Sequence, residues 1–198
     1  MSPRRRFRAV VVGCSAGGLE ALRRLLAPLP AGFPLPIVVV AHTSADAGGL
    51  LPELLDRVTP LPVVEAEEKM PVEPGRVHVA PPGYHLLIEA DESFALSVDD
   101  KVRNVRPSID VLFESAADVW GDGLIGVILT GANSDGTDGL TAIKRQGGTT
   151  YAEDPDAAYA ETMPRSAIAA GVVDRVLPLD SIAGALAALA PTAGRRRR

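Results

Sequence analysis

The chain has a single cysteine, Cys14, only three histidines, and few aromatics: four Phe, three Tyr and one Trp in 198 residues. One cysteine excludes an intramolecular disulfide and any zinc site made of cysteines, so packing must supply the folding energy. The shortage of aromatics means that the core is aliphatic. No apolar run approaches the ~18 residues that a membrane-spanning helix needs, and no apolar signal core follows the amino-terminal arginines. These absences suggest a cytoplasmic protein that is not an integral membrane protein. Acidic residues are missing from both ends, where Arg4, Arg5, Arg6, Arg8 and Arg195 to Arg198 supply eight of the 20 basic side chains. The remaining 12 face 25 Asp and Glu, so the body carries about −13, which argues against a nucleic-acid-binding surface. The length suits one domain, expected over 8–190, flanked by basic tails at 1–7 and 191–198 that are read as solubilising.

What is present is an alternation of strand-length apolar runs with segments of helical period, as in successive βαβ units. Strands are predicted at 8–12, 36–41, 61–64, 124–129, 149–152 and 172–176. Leu19, Leu22, Leu25 and Leu26 share a helical face ended by Pro28 and Pro30, and Leu50, Leu51, Leu54, Leu55 and Val58 share another before Pro60. A third helix opens at Pro107-Ser108, with Ser108 as its expected cap, and buries Ile109, Leu112, Phe113, Ala116 and Trp120. A last helix is expected from Ser181 to Leu189. Gly147-Gly148 and Gly171 read as helix ends. Three short runs, Arg76 to Ala80, His85 to Glu89 and Phe94 to Val98, are separated by turn residues and suggest an antiparallel hairpin insertion near residues 76–98. Asp99 to Arg106 lacks any apolar period and reads as a loop beside the sheet edge. The fold class is therefore α/β, a doubly wound, mostly parallel sheet with helices on both faces.

Three residues with chemical potential each follow a strand-like run: Ser15 after Ala9 to Val12, His42 after Ile37 to Ala41, and Asp135 after Ile125 to Leu129. In a parallel sheet the carboxyl ends of strands border one crevice, so distant residues can meet there as nucleophile, general base and orienting carboxylate. Gly13-Cys14-Ser15-Ala16-Gly17-Gly18 places a serine where a strand turns into a helix, with free amides beyond it. Such a turn alone is also compatible with a phosphate cradle, although it matches neither G-x-G-x-x-G nor a Walker lysine loop. Asp138 competes with Asp135 but has a structural explanation as a helix cap. Alternation turns Cys14 away from Ser15 into the core. His78 reads as a cross-strand surface residue and His85 as a support for the hairpin.

Several separated motifs then converge. Val12 to Leu22, Ala41-His42, Ala80-Pro81-Pro82-Gly83-Tyr84-His85-Leu86, Arg106-Pro107-Ser108-Ile109-Asp110, Leu129-Thr130-Gly131 with Ser134-Asp135-Gly136, and Met163-Pro164 together resemble the catalytic domain of the chemotaxis protein-glutamate methylesterase family (CheB-type), over about residues 8–190. The resemblance implies hydrolysis of glutamate γ-methyl esters on methyl-accepting chemoreceptors, and deamidation of receptor glutamines, through an acyl-enzyme. It assigns Ser15 as nucleophile, His42 as general base and acid, Asp135 as the residue orienting the imidazole, and the Ala16 and Ala132 amides as the oxyanion hole. No metal or cofactor is implied. Met163 and Arg106 are candidates for the substrate groove, Arg106 and Asp110 also for anchoring loop and helix. Family members usually carry Met and Gly where this chain has Ala132 and Asn133, and often Thr at the place of Ala16. No receiver domain precedes the first strand, so the chain is expected to be either a stand-alone member or an excised domain, with a separate response regulator as a candidate partner. The alternatives are a catalytically silent receptor-binding or regulatory module of the same fold, and a nucleotide-binding domain. The last leaves His42 and Asp135 unexplained and has no acidic ribose-binding residue after the second strand.

Overall fold

A computed structural model describes residues 7–42 and 48–189; the basic runs at 1–6 and 190–198 lie outside the described residues. Seven parallel strands form one sheet in the order β3-β4-β2-β1-β7-β8-β9. They are β1 (Ala9–Cys14), β2 (Ile37–Ala41), β3 (Val63–Glu65), β4 (Val77–Val79), β7 (Leu124–Ile128), β8 (Thr149–Glu153) and β9 (Arg175–Leu177). Six α-helices cover the sheet: α1 (Gly18–Leu26), α2 (Leu51–Asp56), α3 (Ile109–Trp120), α4 (Thr137–Arg145), α5 (Thr162–Ala169) and α6 (Leu179–Ala187).

The period of two along each strand divides the core. Val10, Val12, Ile37, Val39, Ile125 and Val127 point to one side, where they pack with Leu22 and Leu25 of α1, Leu55 of α2 and Ile182 and Leu186 of α6. Ala9, Val11, Val38, Val40 and Ile128 point to the other, against Ile109, Leu112 and Phe113 of α3, Leu140 and Ile143 of α4 and Met163 and Ala167 of α5. The central strands β1 and β7 are buried on both faces, hence their unbroken apolar runs.

Two strands stand apart from the main sheet. β5 (His85–Ile88) and β6 (Phe94–Ser97) pair antiparallel, with Leu86 opposite Leu96 and Ile88 opposite Phe94. This hairpin lies on α3, and Ile88 N donates to Ser115 Oγ at 3.1 Å. It is narrower than the span expected near 76–98. The run Arg76 to Ala80 supplies β4, which pairs parallel with both β2 and β3, because Val77 and Val79 are needed to extend the sheet core. His78 is correspondingly fully buried, not on the surface; its Nε2 meets the backbone of Glu73 and its ring lies 4.9 Å from that of Phe94. Burial pushes its pKa down, which the Glu73 carbonyl only partly offsets. The last strand begins at Arg175, later than the expected 172–176, because Asp174 turns the chain there by accepting the Thr150 amide at 2.9 Å.

Glycines set how closely α3 approaches the sheet edge. A Cβ on Gly13 would stand 2.4 Å from Ile109 Cγ2, and one on Gly136 (φ 95°) would stand 2.8 Å from the same atom. Ile109 therefore nests between the end of β1 and the turn after β7, and it draws the amino terminus of α3 against both.

Candidate active site

Ser15 and His42 continue the register of two adjacent parallel strands. Cys14 pairs with Ala41 at the end of the β1–β2 ladder, and the His42 amide donates to the Cys14 carbonyl at 3.0 Å. The next residue on each strand is thus brought to the same edge. Ser15 is held by its own amide, which donates to the Thr130 carbonyl at the end of β7 (2.9 Å), while its carbonyl accepts from Gly18 (2.8 Å) as the chain enters α1. Gly17 makes that turn with φ 80°, where a side chain would also strike Tyr159. Thr130 is buried and ties the turn to its neighbour: its hydroxyl donates to the Ala16 carbonyl and accepts from the Ala160 amide, both at 2.8 Å.

Asp135 is fully buried and accepts four hydrogen bonds. Oδ2 takes His42 Nε2 at 2.8 Å and the Ile109 amide at 2.6 Å; Oδ1 takes the Ser108 hydroxyl at 2.8 Å and the Asp110 amide at 3.1 Å. The carboxylate is thus the amino-terminal cap of α3, a role expected of Ser108, whose hydroxyl instead donates to it. Burial raises the Asp135 pKa, but the bonds from His42, Ile109, Asp110 and Ser108 outweigh burial and hold it at about 2. A reciprocal bond closes the arrangement. Asp110 in the first turn of α3 accepts the Gly136 and Gly139 amides, each at 2.8 Å, and so caps α4. Asp138 does not cap that helix; it is exposed and pairs with Arg103, because Asp110 already holds the free amides. Burial and the nearby charge of Asp135 push Asp110 up to about 6, against the opposing pull of the Gly139 amide and Arg103.

His85 reaches further than the hairpin. Its Nδ1 accepts the Ser108 amide at 3.1 Å and its Nε2 donates to the Asp100 carbonyl at 3.1 Å, fixing the loop before α3. Arg106 donates through Nη1 to the carbonyls of Val98 and Asp99 and so anchors that loop. Met163 is buried beneath Gly131. Neither Arg106 nor Met163 lines the cleft beside Ser15, since one is spent on carbonyls and the other fills the core. That cleft, about 680 Å³, opens on the α1 and α6 side between Ser15, Gly17, Leu19, Arg24, Glu153 and Tyr159. His42 is absent from that lining; it pairs with Asp135, which accepts the Ile109 amide at the start of α3. Cys14 is buried, its thiol pushed up to about 12 by burial and by the charge of Glu153, and it has no nucleophilic character at neutral pH.

Sequence reasoning missed Arg103 and Glu153, and it took Asn133 only as a departure from the family pattern, not as a neighbour of His42. Asn133 Nδ2 lies 3.3 Å from His42 Nδ1, and its Oδ1 accepts the Asp135 amide at 3.1 Å. An Asn two residues before the turn aspartate is a local signal of such an Asx turn. Arg103 joins Asp110, Asp138 and Ser134 from the loop before α3 with φ 48°, a contact across the fold that no local pattern announces. Glu153 at the end of β8 accepts the Thr130 amide at 2.8 Å. Among the described residues, Ser15 Oγ makes no hydrogen bond to His42, and the Ala16 and Ala132 amides donate to no protein acceptor.

The fold is an α/β domain with a serine turn, an imidazole and a buried carboxylate at the carboxyl edge of its parallel sheet. The chain belongs to the CheB methylesterase family, whose profile matches residues 10–186. It is 50% identical over 177 residues to a Leptospira interrogans protein whose name assigns it provisionally as a protein-glutamate methylesterase/protein-glutamine glutaminase, covering 89% of this chain and 92% of that one. It is 41% identical over 179 residues to the protein-glutamate methylesterase/protein-glutamine glutaminase of Symbiobacterium thermophilum, covering 90% of this chain and spanning 49% of that protein's length. The crystal structure of the Thermotoga maritima CheB methylesterase catalytic domain superposes with a TM-score of 0.88 at 40% identity, over 92% of this chain and 98% of that one.

Proposed function

We propose that this domain hydrolyses γ-methyl esters of glutamate, and deamidates glutamine, on a methyl-accepting chemoreceptor or receptor-like protein, with Ser15 as nucleophile. The observation that carries the reading is the pairing of His42 Nε2 with the buried, ionised Asp135 at the strand end next to Ser15. With Nε2 committed to Asp135, Nδ1 is the nitrogen that accepts the Ser15 proton. Ser15 Oγ bonds to the γ-carbonyl carbon as that proton moves to His42. The tetrahedral intermediate then collapses, the bond to methoxide or amide breaks, and His42 delivers its proton to release methanol or ammonia. Water attacks the glutamyl–Ser15 ester with His42 again as base, and glutamate leaves as Ser15 recovers its proton. The Ala16 and Ala132 amides are free to receive the oxyanion, donors worth about 3 kcal/mol each in comparable sites. Among the described residues no helix is long and apolar enough to cross a membrane.

The test uses receptor carrying radiolabelled methyl esters. The wild-type protein should release labelled methanol, and Ser15→Ala should reduce release to the uncatalysed rate. Equal release by both overturns the reading, and receptor binding without release by wild type supports the silent module instead.

A further inference from the structure

The geometry points to Asn133 as a positioning residue that occupies the basic nitrogen of His42 in the free protein, so that Ser15 gains its base only when an arriving substrate displaces the Asn133 amide. This inference rests on the hydrolase reading above and concerns how that site is held at rest.

Its first support is the orientation of the carboxamide, which is fixed from two sides. The Asp135 amide can only donate, so the atom 3.1 Å from it must be the Asn133 oxygen. The nitrogen therefore faces His42 Nδ1 at 3.3 Å, and it can only donate. Nδ1 is then unprotonated, and the ring proton sits on Nε2, where Asp135 Oδ2 receives it at 2.8 Å. Both contacts require the same tautomer.

A second support is the count of lone pairs. An unprotonated imidazole nitrogen has one, in the ring plane, and it can accept one good hydrogen bond. With the Asn133 N–H on it, the Ser15 hydroxyl is excluded, and Ser15 Oγ indeed has no bond to either ring nitrogen. The base is thus correctly protonated and correctly oriented, but engaged. The contact is long for a hydrogen bond and neutral at both ends, so a substrate that fills the space beside Ser15 can break it at small cost.

The test is the rate at which a fluorophosphonate labels Ser15. In that reaction the Ser15 Oγ–phosphorus bond forms, the phosphorus–fluorine bond breaks, fluoride leaves and the Ser15 proton passes to His42. Asn133→Ser keeps an oxygen able to accept the Asp135 amide but is too short to reach His42. Releasing one neutral hydrogen bond should raise the maximal labelling rate about 2- to 10-fold, with the half-saturating probe concentration unchanged. Asn133→Ala should do the same with a lower thermal midpoint. Faster labelling confined to the maximal rate supports the inference. Labelling of wild type at Ser15 with equal or slower labelling of both folded variants overturns it and leaves the hydrolase reading intact. No labelling beyond that of Ser15→Ala in any form overturns both. A measurement that needs no variant is an NMR correlation across the Asn133–His42 hydrogen bond in nitrogen-15-labelled protein. It should be present in the free protein and lost after phosphonylation, and its absence from the free protein overturns the inference.

Discussion

Replacing Asp135 with Asn separates the two tasks of this carboxylate, and the hydrogen bonds around it decide how. The new amide has one oxygen where four donors now find two. If its nitrogen took the place of Oδ2, it would face His42 Nε2–H and the Ile109 amide, the shortest contact at 2.6 Å. The ring would have to move its proton to Nδ1 and lose its basic nitrogen. If the nitrogen took the place of Oδ1, it would face the Ser108 hydroxyl, which can rotate to accept, and only the longer Asp110 bond of 3.1 Å would be lost. The second orientation is cheaper, so the tautomer survives. What disappears is the charge that stabilises the imidazolium: a pair ~4 Å apart at an effective ε of 20 is worth about 4 kcal/mol, of which the amide dipole recovers part. A loss of about 2–3 kcal/mol, or roughly 10²-fold in kcat, follows. Adding Ser108→Ala removes the acceptor that favours this orientation and should deepen the loss toward the ~10⁴-fold of a wrong tautomer. Stability should fall by about 2–4 kcal/mol, from the unpaired Asp110 amide and the missing charge at the start of α3. In a domain of this size that lowers the melting temperature by about 5–15 °C. Methanol release and fluorophosphonate labelling measure the first effect, calorimetry the second. A single variant within fivefold of wild type would show that the carboxylate does not serve the imidazole; a 10⁴-fold loss without the Ser108 change would refute the orientation argument.

Two further outcomes can be checked. A Cβ on Gly18 would lie 2.7 Å from Cys14 Sγ, so Gly18→Ala should cost about 1–3 kcal/mol, and Cys14→Ala should relieve at least about 1 kcal/mol of that in a double-mutant cycle read by urea unfolding. Cys14→Ala alone should leave most activity, and strictly additive stability effects would contradict the contact. The folded pKa of Asp110 is raised from 3.8 to about 6, so its contribution is fully present below pH 3.8 and is lost as pH rises through about 6. The stability difference between wild type and Asp110→Asn should therefore shift against wild type between pH 4.5 and pH 7.5 by about 2 kcal/mol at most. Asp135, held at about 2, acts in the opposite sense and loses its contribution only as pH falls below about 4, outside that window. A difference independent of pH from 4.5 to 7.5 would refute the assignment to Asp110.

Much of this was legible along the chain because it depends on local repetition. Unbroken apolar runs of strand length such as Ala9 to Val12 and Ile37 to Ala41 read as buried parallel strands, and a residue that follows such a run must emerge at one edge of the sheet, which places Ser15 and His42. The register Cys14 to Ala41, by contrast, is a tertiary choice, as is the use of Arg76 to Ala80 to widen the main sheet when its turn-rich flanks resemble those of the hairpin. Capping was misread for the same reason. A sequence shows only candidates next to a helix, Ser108 and Asp138, whereas here two carboxylates 25 positions apart each cap the other's helix once Ile109 has settled between Gly13 and Gly136. The identities of the reacting groups are thus written in the order of residues. Whether the imidazole faces Asp135, Asn133 or Ser15 is decided only by packing, because hydrogen-bond partners compete in space and a linear chain carries no record of which competitor stands nearest.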